Sequence, residues 1–192
     1  MISKKPTPKY ILDARRGGLT YDEAIEKILE ENGVESYPIP IVEIAKGMGF
    51  AVYSAEFGYG VFGIMMDCAC PPMPFNEKRM ICFNKNEYAT RQSFVVAHEI
   101  AHFVLHCNEK DDFYEKCVAG KAGKSTAEDM ANIFARKLLM PQRMVQELVD
   151  MLPVTISRAQ LVSIAAARFW IPEEVADLRL AEMGYGPAFC QN

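Results

Sequence analysis

Apolar residues recur at helical spacing in "TYDEAIEKILEENG". Ala24, Ile25, Ile28 and Leu29 fall on one stripe, Thr20 stands at the N-cap position, and Gly33 follows as the stop. "PIPIVEIAKGMG" predicts a second, short helix over Ile41 to Lys46, ended by Gly47 and Gly49. The pattern then shortens to that of strands: "FAVYSA" (50–55), "GVFGIMM" (60–66) and "RMICFN" (79–84), separated by turn-rich sequence. From Ala89 to Leu139 the pattern is mainly helical, interrupted at 108–124 by the polar "NEKDDFYEKCVAGKAGK", which reads as a mobile connection. Beyond Pro141 three short helices follow, "PQRMVQELVD", "SRAQLVSIAAARF" and "PEEVADLRLAEMG".

These patterns predict an α+β fold: a small twisted, mainly antiparallel sheet packed against a helical layer, with a C-terminal helical tail. The expected divisions are a flexible lead-in over 1–20, a main domain over 21–140, and a helical extension over 141–192 packed on the same domain.

One helix breaks its own pattern. In "FVVAHEIAHFVLH", from Phe94 to Leu105, His98, Glu99 and His102 are the residues that are not apolar. Apolar residues lie all round the wheel, so the helix is expected to be central and buried. Burying three ionisable groups is costly unless something satisfies them. His98 and His102 are one turn apart on one face, about 6 Å along the axis, so two imidazoles can converge on one tetrahedral Zn²⁺. Glu99 is rotated away from the pair and can handle the proton of a water there without being a ligand. This is the H-E-x-x-H arrangement of zinc peptidases. A buried histidine pair satisfied by Glu99 and backbone is the bland alternative.

A zinc site needs a third protein ligand. His106, the third of three histidines, lies two turns beyond His98, about 12 Å along the axis. That is too far to share the ion, and His106 reads as a C-terminal helix residue favoured by the dipole. "STAEDMANIFARKLLMP" offers Glu128, with Asn132 one turn on and Ala131, Ala135 and Leu139 on the same face. Glu128 can complete a His/His/Glu set, and Asn132 can fix the tautomer of a ligand histidine. The rival reading of Glu128 is N3 of a capping box with Ser125 as N-cap.

Composition adds limits. Net charge is −4 with a pI near 5.5, a poor electrostatic start for a nucleic-acid binder. No apolar run approaches the 18 or so residues that span a bilayer. "MISKKPTPKYILDARRGG" has basic residues without an apolar signal core, so a cytoplasmic location is expected. The six cysteines are then reduced thiols; Cys68 and Cys70 form C-x-C before two prolines and read as loop thiols, while Cys82 and Cys107 read as small core hydrophobes.

The segments "MICFN", "RQSFVVAHEIAHFVLH" and "EDMANIFARKLLMP" together resemble the ImmA/IrrE metallopeptidase-like proteins of bacteria and their mobile elements. "PIVEIAKGMGFAVY" upstream and the helical tail downstream are similar too, so the likeness covers roughly residues 20–185. The resemblance implies His98, His102 and Glu128 as zinc ligands and Glu99 as catalytic base. It also implies a regulatory peptidase whose partner is a protein substrate, a helix-turn-helix repressor; charge and the lack of a long apolar run lead us to expect no direct nucleic-acid or membrane partner. Asn132 departs from the Asp that many zinc peptidases with a Glu ligand use.

Tyr88, Arg91 and Tyr114 are within chain reach as oxyanion stabilisers, and "GVFGIMM" is a candidate sheet edge for an extended substrate. Two rival classes remain. "AQLVSIAAARFWIPEEVADLRL" has the spacing of a helix-turn-helix, but its second helix opens on Glu173 and Glu174, which repel phosphate. From Pro153 onward three basic residues face four acidic ones. A non-proteolytic protein with a structural zinc site is the other class. Glu99 beside an open coordination position speaks against it, because structural sites are usually closed.

Overall fold

The computed structural model describes residues 11, 13, 16–68, 77–107, 113–118, 126–153 and 155–186, with the backbone alone for 113–118. Helix α1 (Tyr21–Glu31) starts where Thr20 accepts from the Glu23 amide and Glu23 reaches back to Thr20, a reciprocal cap. It buries Ala24, Ile25, Ile28 and Leu29. Gly33 beyond it has φ +63°, a conformation that glycine adopts without strain. Helix α2 (Ile41–Gly47) follows, then strands β1 (Ala51–Ala55), β2 (Val61–Asp67) and β3 (Arg79–Asn84). After helix α3 (Ala89–His106) come strand β4 (Phe113–Val118) and helix α4 (Thr126–Leu139). Helices α5 (Gln142–Asp150), α6 (Arg158–Phe169) and α7 (Glu173–Glu182) end the described chain. No helix among the described residues is long and apolar enough to cross a membrane.

The fold is α+β, with strands in the order β1-β3-β2-β4. β2 pairs antiparallel with both β3 and β4, while β1 pairs parallel with β3. Two expectations change here. The connection read as mobile over 108–124 contains β4. Its "FYEKCV" puts Glu and Lys between short apolar ends, and that polar centre hides the strand pattern; charged residues of this kind are common on edge strands. β2, read as a candidate edge, lies inside the sheet; among the described strands the edges are β1 and β4.

The helical face of the sheet carries the main core. It runs from Ile11 through α1, α2, Met65 and Ile81 of the sheet, and α3, to Leu180 of α7. The lead-in expected to be loose over 1–20 therefore enters the core at Ile11, which is fully buried; residues 1–10, 12, 14 and 15 lie outside the described residues. The opposite sheet face holds a small cluster of Met66, Cys68, Met80 and Cys82. Cys68 and Cys82 thus pack as hydrophobes, and Cys70 lies outside the described residues.

One buried ion pair joins the sheet to α3. Asp67 and Arg79 are register partners at the ends of β2 and β3. They meet at 3.3 Å with side chains only 2–3% exposed. Arg79 also donates to the Met48 carbonyl at 2.9 Å and lies 4.4 Å from the Phe103 ring centre. Cys107, just past α3, donates its thiol to Asp67 at 3.4 Å. Removing one member of a buried pair strands the other in low dielectric. Arg79→Met keeps the volume but leaves Asp67 without its cation, and should lower unfolding free energy by about 3–5 kcal/mol in urea titrations at neutral pH.

Candidate metal centre

The expectation of a buried α3 holds along its middle: every residue from Val95 to Val104 is buried. His98 and His102 are each 2% exposed and Glu99 is fully buried. α4 packs along α3, and its fully buried Ala131 and Ala135 permit close approach. Glu128 and Asn132, one turn apart, are thereby brought to the histidines.

The resulting geometry is compact. His98 Nε2 lies 3.0 Å from His102 Nε2 and 3.3 Å from Glu128 Oε2. His102 Nε2 lies 3.6 Å from Glu128 Oε1. Both carboxylate oxygens are therefore directed at the imidazoles; Ser125, the proposed capping partner, lies outside the described residues. His98, His102 and Glu128 form a candidate metal-binding group, the one found among the described residues. Donors about 2.0–2.1 Å from a tetrahedral ion lie roughly 3.3 Å apart, which the observed separations bracket.

Asn132 Oδ1 lies 3.1 Å from His98 Nδ1. With the amide oxygen as acceptor, the ring proton is on Nδ1, and the Nε2 lone pair faces the cluster. Burial first, then His98, push the His102 pKa down to about 4, with Glu128 opposing the shift. At neutral pH His102 is an unprotonated donor. Two imidazole nitrogens and a carboxylate that converge on one point are a donor set for a cation, so the residues present fit a metal.

Glu99 stands outside this group, on the side of α3 that faces the sheet. Gly63 of β2 makes its position possible. A Cβ at 63 would overlap Val95 Cγ1 and lie 3.3 Å from Glu99 Oε1. The sequence reading missed Gly63. Its signal was a glycine inside an otherwise apolar strand, which marks a close approach.

Other candidates fall elsewhere. Arg91 pairs with Glu174 at 3.2 Å and stacks over Phe62. Tyr88 is the N-cap of α3, 56% exposed. They lie seven and ten residues before His98, about 10 and 15 Å along the axis, so the structure does not bring them to the metal group. The Tyr114 side chain is outside the described residues. His106 ends α3 and bonds Ala127 rather than joining the group. The acidic start of α7 is turned onto the chain itself: Glu174 meets Arg91, and Glu173 accepts from Ser163 at 2.7 Å.

Residues 69–181 match the family described as IrrE N-terminal-like domain, which is more than half of the chain. The chain belongs to that family. It is 30% identical over 99 residues to metallopeptidase ImmA of Bacillus subtilis (strain 168), covering 52% of this chain and 54% of that protein. The match thus spans about half the length of that curated relative. A solved Mycobacterium tuberculosis transcriptional regulator shares the fold, with TM-score 0.53 and 16% identity over 91% of this chain and 52% of that one. Within the IrrE N-terminal-like family this chain therefore presents a His-His-Glu group on two packed helices.

Two outcomes follow from the site. Gly63→Ala forces α3 away from β2 and should cost about 1–3 kcal/mol in stability, read by chemical denaturation. In metal-free protein, His102 has a folded pKa of about 4 against 6.5 unfolded. Between those values the unfolded chain binds a proton that the folded chain does not, so stability rises with pH across this window and is lost as pH falls. Moving from pH 7 to pH 5 should remove about 2 kcal/mol in urea titrations, and His102→Gln should flatten the profile.

Proposed function

We propose that the chain is a zinc-dependent peptidase that cuts a regulatory protein, the substrate class being a helix-turn-helix repressor. The observation that carries this reading is the convergence of His98, His102 and Glu128 from two packed helices. Family membership and the likeness to a protein named metallopeptidase ImmA support it; the repressor as substrate rests on the family resemblance.

His98, His102 and Glu128 hold the ion, and Asn132 keeps the His98 proton on Nδ1. Zinc, when bound, supplies Lewis acidity toward a carbonyl oxygen and brings the pKa of water toward neutrality. Glu99 takes the proton of the attacking water on its carboxylate and returns it to the leaving amine. Burial in α3 and the glycine at 63 hold that carboxylate away from solvent, which strengthens its interactions with charge. β4 offers an edge on which an extended substrate can add as a further strand. Cys117 of β4 is in register with Gly63, the residue against Glu99.

The purified protein should contain one zinc per chain by elemental analysis, and Glu128→Ala should cut that occupancy sharply. Glu99→Gln should keep zinc and stability, yet lower cleavage of a co-expressed repressor by at least about a hundredfold. Equal cleavage by wild type and Glu99→Gln would remove Glu99 as the base. A zinc-loaded wild type that binds the repressor without cutting it would point to a non-proteolytic regulator.

A further inference from the structure

We propose that His106 is a positioning residue for the metal group: it fixes the first turn of α4 so that Glu128 meets the α3 histidines. This rests on the reading of His98, His102 and Glu128 as metal ligands.

His106 is the last residue of α3, and its Nε2 lies 3.2 Å from the carbonyl oxygen of Ala127, 21 residues on. A carbonyl only accepts, so Nε2 carries the proton. That N–H is present both in the neutral tautomer the carbonyl selects and in the protonated ring. Ala127 directly precedes Glu128 in the first turn of α4. The helical hydrogen bond of that turn uses one lone pair of the Ala127 oxygen, and His106 uses the other. The bond thus ties the end of the helix that bears both histidines to the backbone that bears the third donor. The His106 ring also lies 5.5 Å from the ring of His102. Asn132 restrains α4 one turn beyond, through His98. Glu128 is thereby held between two side-chain contacts from α3, one on each side in sequence.

Zinc affinity tests this, measured by competition with a chromophoric chelator on wild type, His106→Phe, His106→Gln, Glu128→Ala and the His106→Phe/Glu128→Ala double variant. Groups that orient ligands typically contribute 10–100-fold to metal affinity, so His106→Phe should bind zinc at least tenfold more weakly. His106→Gln keeps an N–H donor of similar reach and should stay within about threefold of wild type, the tolerance being set by the usual scatter of hydrogen-bond energies. In the Glu128→Ala background the Phe change should matter less than about twofold, because it acts through Glu128. If the Phe variant does not fold, His106→Leu takes its place with the same expected loss. A merely structural histidine would lower the melting temperature of metal-free protein and leave zinc affinity unchanged, which would overturn the proposal. So would equal weakening with and without Glu128, or no recovery with Gln. Failure of wild type itself to bind zinc would overturn the metal reading and this role together. Because the readout is affinity, a protein that binds zinc without cutting still decides the matter.

Discussion

The packing of α4 against the middle of α3 is the contact on which the rest depends. α3 takes two imidazoles and a carboxylate into a fully buried stretch. Groups of that kind are tolerated when partners reach them. α4 provides partners for the histidines: a carboxylate on the Nε2 atoms and an amide oxygen on His98 Nδ1. Alanines at 131 and 135 let the backbones come close enough for these short side chains to meet.

The remaining architecture braces this pair of helices. At the far end of α3, Cys107 meets the buried Asp67–Arg79 pair, so the helix is tied to β2 and β3. At its start, Arg91 is held by Glu174 of α7. The same helix α7 reaches α4 through Glu182 and Arg136, and Arg179 donates to the Met140 carbonyl just past α4. Lys137 of α4 is in turn paired with Asp22 of α1. Glu174 and Glu182 of α7 thus clamp the two helices of the metal group. Gly63 sets the spacing on the sheet side and leaves room for Glu99.

The family match covers the two helices that carry the converging donors. The matched segment spans both α3 and α4, and the described donors that converge are those the H-E-x-x-H spacing and the downstream Glu bring within reach. The glycine at 63 and the bond from His106 to Ala127 add constraints that a motif does not contain. They determine where Glu99 and Glu128 sit relative to the histidine pair.

Much was legible from local pattern. Periodicity located the helices and β1 to β3, because each buries a face of its own and its apolar spacing records that face. The α3 motif was legible for a related reason: His98, Glu99 and His102 stand out only against an apolar helix. Glu128 and Asn132 were legible as one face of α4, but whether Glu128 turned to Ser125 or to the histidines was left to the packing of two helices far apart in sequence. β4 was not legible, since an edge strand with a charged centre has little periodicity and exists by pairing with β2. The place of β2 inside the sheet follows from that pairing. The burial of Ile11, the Asp67–Arg79 pair and the contact of Gly63 with Glu99 all depend on segments meeting across the core. Local spacing encodes which face of an element is apolar; it does not encode which distant element covers that face, and tertiary structure alone decided those contacts.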